Sequence, residues 1–559
     1  MSNFLALPEF NVVDGRMAVA SQKQVVIRRG PNNLTIQRQT SSSLSNNQIV
    51  FNVVLGNSAT TLVDPYMVVE TNVNVTISAT GMTGTVQNYL NNNFALRAYP
   101  FNSVIATCAV QINNQTTSSY PAQFVHEQAQ FQDYANGNNQ AIGQSITPIM
   151  PDQSPTYSLL QGSIKSPLNS YAAGGELYQE PRGAYNANFQ TTSSGTGSWV
   201  FNVVLREPIM NPVLKYNVQG QREGLAYLKN FNVTLTLLSN ISRMFSLDAV
   251  TCPNITSIVP NITSSTLVMS WLTVPESLRL PEVALRSFNT IVTNQTNQVV
   301  FSPGQQALVN SQTYSVNQIP KYIWVYVKDA AYDIATGYNK ADFTFSIQAV
   351  TVLFNNKSGL MSTFDASDLY NACQAEEGSR ISYTQSQNYV GSVLALDPVK
   401  LFGLSSSESS GVLGQYNLQI QVQCTNISSQ SVTPNLWVNF ALDTVLTTDM
   451  TGNSNLIQGI INQSDVLSAN NLPAVPGPFS GSNDIYGGNF IDTIKDYANR
   501  AFNFIKQNKL ISRGIPTVVG ALAPQFLPIA QPFANLANEL GVGRTSRRAM
   551  NAYRQALTY

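Results

Sequence analysis

Along most of the chain apolar and polar residues alternate with a period of two, the pattern of a β-strand that buries one face. The segments 48–55 (QIVFNVVL), 67–77 (MVVETNVNVTI), 198–205 (SWVFNVVL), 231–238 (FNVTLTLL), 266–272 (TLVMSWL), 322–328 (YIWVYVK), 343–354 (FTFSIQAVTVLF), 416–422 (YNLQIQV) and 436–446 (LWVNFALDTVL) are rich in β-branched and aromatic side chains. Clusters of Asn, Gly, Ser and Pro bound them, as turns bound antiparallel strands. Strands in this number predict an all-β protein built of antiparallel sandwiches.

Helical spacing is confined to a few places. One is 122–134 (AQFVHEQAQFQDY), and another is 364–377 (FDASDLYNACQAEE), whose early acids suit a helix N-terminus. Each lies between strand clusters at a similar point of its half of the chain, which hints at duplication. Pro275 and Pro281 bracket a short charged stretch after a strong strand. The predicted organisation is a first β domain over 1–275 with a Gly/Asn/Ser/Tyr-rich insertion at 136–197, and a second over 276–450. Residues 451–488 read as a polar linker, and 489–559 as a separate tail. Long loops on a rigid sandwich usually serve contacts rather than core packing.

The tail opens on an amphipathic helical pattern. Phe490, Ile491, Ile494, Tyr497, Ala498, Ala501, Phe502 and Ile505 recur at helical spacing, with Asp492, Lys495, Asp496, Asn499, Arg500, Asn503 and Lys506 between them. Arg544, Arg547, Arg548 and Arg554 make its end basic.

Composition narrows the chemistry. Charged residues are 11% of the 559, against roughly 25% in ordinary soluble domains. The only histidine is His126, and Cys108, Cys252, Cys373 and Cys424 are scattered, so multi-His metal sites and Cys-x-x-Cys pairs are absent. The net charge of zero hides a division: residues 489–559 carry nine Lys/Arg and three Asp/Glu, a net of +6, and the remainder is −6. Such a body lacks the concentrated cations that phosphate binding needs.

Residues 1–10 (MSNFLALPEF) lack a basic start and a sufficient apolar stretch for a targeting signal. The longest apolar candidate, 515–532, is broken by four prolines. The expectation is a protein made on the cytosolic side. Eleven Asn-x-Ser/Thr sequons arise by chance in a chain this rich in Asn, Ser and Thr, and mean little without a signal peptide.

Several phrases carry a family resemblance: 95–101 (ALRAYPF) with 102–113 (NSVIATCAVQIN), 181–185 (PRGAY), 319–328 (IPKYIWVYVK), 411–422 (GVLGQYNLQIQV) and 484–490 (DIYGGNF). Taken together and in order, they resemble the double jelly-roll major capsid proteins of the virophage, polinton-like and adenovirus-related lineage, the virophage members above all. The resemblance implies two eight-stranded jelly rolls side by side, a homotrimer forming a pseudo-hexagonal capsomer, and an icosahedral shell. The implied partners are neighbouring capsomers, penton and minor capsid proteins, and a viral maturation cysteine protease. The implied location is the virion, after synthesis in the host cytosol or a virus factory. No cofactor, metal or enzymatic activity is implied.

Ile485-Tyr486-Gly487-Gly488, followed by Asn489, resembles the hydrophobic-x-Gly-Gly signal cut by adenovirus-type proteases. Two glycines let an extended chain enter a narrow cleft, and the flanking PGPFSGS reads as accessible. A Gly-Gly turn opening the next helix is the plainer reading. Cleavage after Gly488 would release the whole tail, whose face Phe490, Ile491, Ile494, Tyr497, Phe502 and Ile505 suits contact with an internal membrane or genome, or docking against a protein. His126, beside Glu127, reads as a buried or interfacial side chain, because no nucleophile motif accompanies it. The cysteines read as free apolar residues. Tyr322, Trp324 and Tyr326 share one strand face and read as core or intersubunit packing rather than a sugar platform. A β-sandwich adhesin or carbohydrate-binding protein is the competing function, followed by a carbohydrate-active enzyme, for which no carboxylate pair stands out.

Overall fold

The structure is a computed structural model that describes residues 33–82, 94–128, 186–188, 195–214, 224–247, 255–275 and 280–462, short breaks inside these spans aside. The first half is built on β1 (Leu34–Thr40), β2 (Gln48–Val53), β3 (Val68–Met82), β4 (Ile105–Ile112), β5 (Gln115–Ser119), β6 (Gly195–Pro208), β7 (Phe231–Leu237) and β8 (Ile255–Thr273). One antiparallel sheet runs β1-β8-β3-β6 and the other β2-β7-β4-β5. Shorter strands extend both at their edges.

Alternation decides which face goes inside. On β3, Val73, Val75, Ile77 and Ala79 are buried, while Asn72, Asn74, Thr76 and Ser78 lie on the opposite face. The buried set joins Phe51, Val110, Val233 and Leu235 from the facing sheet in one core.

The second half uses β9 (Val283–Asn297), β10 (Gln306–Asn310, continued by Tyr314–Gln318), β11 (Tyr322–Asp329), β12 (Ser346–Phe354), β13 (Lys357–Leu360), β14 (Leu394–Leu396), β15 (Val412–Thr425) and β16 (Pro434–Asp449). Its sheets run β9-β16-β11-β14 and β10-β15-β12-β13. Adding eight to each strand number of the first half reproduces this order. Each half is a jelly roll, and the chain is a double jelly roll. The helices repeat as well: α1 (Pro121–Gln128) follows β5, and α2 (Ala366–Glu376) follows β13.

The start of the stretch read as a linker departs from expectation. β17 (Ser454–Gln458) pairs with β16, and Ile461–Asn462 pairs with β15. Ser454 and Ile457 are buried there. A run as short as SNLIQ holds too few residues for its period to stand out from a polar surrounding.

Cys108 and Cys424 sit in the two cores, both free. Burial pushes the Cys108 thiol from its ordinary 9.0 up to about 12, against the pull of hydrogen bonds from Ser119 and Asn211. Burial alone takes Cys424 to about 12. Unfolded, these thiols ionise near 9.0; folded, they stay neutral, so their contribution to stability is intact below pH 9 and is lost as pH rises towards 12. Burial also raises Tyr314 and Tyr416, which adds to the same trend. Urea midpoints under reducing conditions are expected to fall across that window, and Cys424→Ala to reduce the fall; a flat profile contradicts this.

Candidate assembly site

Both faces of β11 are buried. Ile323, Val325 and Val327 point into the sandwich with their register partners Phe440, Val438 and Leu436. Trp324, Tyr326 and Lys328 share the other face with Asn439, Trp437 and Asn435. In an isolated jelly roll that face would be an outer wall, but here α1 of the first half covers it.

Tyr326 Oη donates to the Gln123 carbonyl at 3.0 Å. Lys328 Nζ donates to the same carbonyl at 2.8 Å and to Glu127 Oε1 at 2.9 Å. Phe124 joins the apolar cluster of the second half, while Val125 packs with Tyr99 and Met210 of the first. Successive helical side chains point about 100° apart, so this dipeptide turns α1 into a wedge between the halves. Tyr326 stacks on Trp437 at 6.1 Å and 9°. The Lys328 ammonium lies 5.7 and 5.9 Å from the Tyr326 and Trp437 ring centres. A buried cation held by a carboxylate, a carbonyl and two ring faces keeps compensation for the water it has lost.

Further contacts extend the seam. Arg97, fully buried, donates through Nε to Arg243 O at 2.7 Å and through Nη2 to Phe245 O at 3.2 Å and Gly337 O at 3.1 Å, the last in the second half. Arg286 Nε donates to Val213 O. Asn113 Nδ2 donates to Ser454 Oγ at 3.0 Å, and Ser454 N to Asn114 Oδ1 at 2.8 Å. Glu207 receives Phe101 N at 2.7 Å, Asn102 N at 2.9 Å and Asn102 Nδ2 at 2.8 Å, which fixes the chain just after Arg97.

The outer face of the sheet β1-β8-β3-β6 is a wall of amides and hydroxyls. Asn202 and Asn261 lie opposite Asn74 in the ladder, and Asn72 Nδ2 donates to Ser264 Oγ at 2.6 Å. Among the described residues its charges are few: Arg38 and Arg206 share the single carboxylate of Glu70. Val204 and Val259 stand exposed among them. Such a surface can be covered by a neighbour while stranding little charge.

Two family models match this chain. Residues 7–274 match the first domain of the Sputnik virophage major capsid protein, and residues 288–443 match the C-terminal domain of major capsid protein V20. Together they take in most of the chain and both jelly rolls. The chain belongs to the double jelly-roll major capsid proteins. The putative capsid protein V20 of Sputnik virophage is 24% identical over 590 aligned residues, covering 98% of this capsid protein and 95% of V20. The fold is similar to the cryo-EM structure of the Sputnik virophage, with TM-score 0.72 and 21% identity over 86% of this chain and 99% of that one. It is also similar to the crystal structure of the mavirus major capsid protein, with TM-score 0.63 and 15% identity over 82% and 98%. These relatives are structural proteins of virions rather than enzymes, so the capsid protein is a virion component.

The sequence-predicted residues of the capsid protein divide sharply. Ile485, Gly487, Gly488 and Asn489, and the tail face Phe490, Ile491, Ile494, Tyr497, Phe502 and Ile505, lie outside the described residues. His126 is buried in α1 beside Glu127. Tyr326 packs between the two halves of the chain, and Trp324 is buried on the same face of its strand. Among the described residues no group of three or more His, Cys, Asp or Glu is placed to hold a metal ion, and no helix is long and apolar enough to cross a membrane. Sequence reasoning missed Arg97, Phe124, Lys328 and Asn435. The one available signal was Lys328, a lone cation closing the apolar run YIWVYV.

Proposed function

We propose that three copies of this major capsid protein form a pseudo-hexagonal capsomer that tiles an icosahedral shell, meeting neighbouring capsomers along its side walls and penton and minor capsid proteins at the edges of the lattice. The observation that carries this reading is the strand-for-strand repeat of two jelly rolls joined by a buried seam. Three chains of that kind present six similar wedges, which closed threefold symmetry arranges as a hexagon. The charge-poor outer sheet faces suit repeated contact with copies of themselves. The maturation cysteine protease cuts after Gly488, and the +6 tail serves assembly at an internal membrane or genome before release.

Mass photometry with negative-stain imaging tests the capsomer. Particles near three times 60.9 kDa with a hexagonal outline support it; monomers at every concentration overturn it. For the tail, the intact mass of the chain from mature particles is expected to end at Gly488, and a full-length mass there overturns processing.

A further inference from the structure

Lys328 and Asn435 are direct register partners across β11 and β16, on the side of the sheet that α1 covers. Glu127 of α1 stands 2.9 Å from Lys328 Nζ. All three residues are 5% exposed. Directly opposed residues of an antiparallel pair have Cβ atoms about 4.5–5.5 Å apart, well within the sweep of a lysine stem.

Two oxygens of this cluster are buried without a hydrogen-bond partner: Glu127 Oε2 and Asn435 Oδ1. The Asn435 amide nitrogen, by contrast, donates to Gln295 Oε1 at 3.2 Å, which leaves the carbonyl end of the amide unmatched. Buried acceptors left without a donor are costly, and both belong to residues next to Lys328, one by register and one by ion pair. The walls of the site are Tyr326 and Trp437, so water has little access to compete.

We propose that Lys328 and Asn435 join in an intramolecular isopeptide bond, with Glu127 as the acid–base group. Glu127 takes a proton from Nζ and polarises the Asn435 carbonyl through the resulting carboxylic acid. The Nζ lone pair attacks Cγ, and the Cγ–Nζ bond forms as the Cγ–Nδ2 bond breaks. Nδ2 leaves as ammonia, carrying its two hydrogens and a third relayed from Nζ through Glu127. No oxidant or reductant takes part. The product staples β11 to β16 beneath α1, so the two central strands of that sheet cannot separate under load or heat. A wedge helix delivering the carboxylate makes the reaction a consequence of the two halves having docked.

The test is the intact mass of the purified full-length chain, denatured in acid. It is expected to fall short of the sequence mass by one ammonia, and trypsin is expected to yield one branched peptide joining the Lys328 and Asn435 segments. Asn435→Ala and Glu127→Gln are expected at their full sequence masses. An undiminished wild-type mass, with the two segments recovered as separate linear peptides, overturns the proposal, as does an ammonia deficit that maps elsewhere. The deciding measurement is made on the denatured wild-type chain, so it holds even where a variant fails to fold.

Discussion

Phe124→Ala is expected to destabilise the protein by about 3–5 kcal/mol, the usual cost of removing a fully buried phenylalanine. Phe124 differs from other core aromatics in belonging to one half by chain and to the other by packing. It is 1% exposed, its helix follows β5 of the first jelly roll, and its ring lies in the apolar cluster of the second. The cavity therefore opens at the seam, where hydrogen bonds from Tyr326 and Lys328 to the Gln123 carbonyl depend on α1 keeping its place. The expected calorimetric result is a lowered transition that resolves into two, one per jelly roll. Phe354→Ala is the matched control. Phe354 is equally buried but stacks on Tyr416, 5.5 Å away, wholly inside the second half. Its loss should cost a similar amount and leave the first half's transition coupled to the seam as before. A Phe124→Ala trace indistinguishable from the parent would show that α1 does not hold the halves together.

The jelly rolls were legible in the sequence because their strands alternate, and alternation is what a half-buried strand must do. The seam was not. On β11 the whole run from Ile323 to Lys328 is buried, and a strand buried on both faces looks the same whether a sheet, a helix or another subunit covers it. Within the covering element, α1, nothing local marks Phe124 as a side chain that packs across a domain boundary. Two of the phrases behind the resemblance mark that boundary. The phrase 319–328 contains most of β11, and 95–101 contains Arg97, Tyr99 and Phe101. A third, 411–422, falls largely within β15 and lines the second core instead. These three phrases thus report where two sandwiches and their junction have to fit, which is why none of the three looks catalytic.

Arg97→Met is expected to cost about 3–5 kcal/mol, comparable with breaking a buried charged network. Methionine keeps the length and the apolar stem but offers no donor. Arg243 O, Phe245 O and Gly337 O then lose the guanidinium that reaches all three, and an unmet buried polar group costs about 1–3 kcal/mol. Arg97→Lys should recover only part of the loss, because one ammonium cannot reproduce the planar fork that spans two carbonyls of one segment of the first half and one of the second. The surrounding backbone is set for the fork: Arg97 N donates to Met244 O at 2.9 Å, and two residues on Tyr99 takes a positive φ of 46°. Urea denaturation should show a lower midpoint with little change in slope for Arg97→Lys, whose native and unfolded surfaces stay close to the parent's. Arg97→Met should also lower the slope if the halves separate before they unfold. A methionine variant within about 0.5 kcal/mol of the parent, the range of a neutral surface change, would mean that the buried guanidinium carries none of the coupling assigned to it.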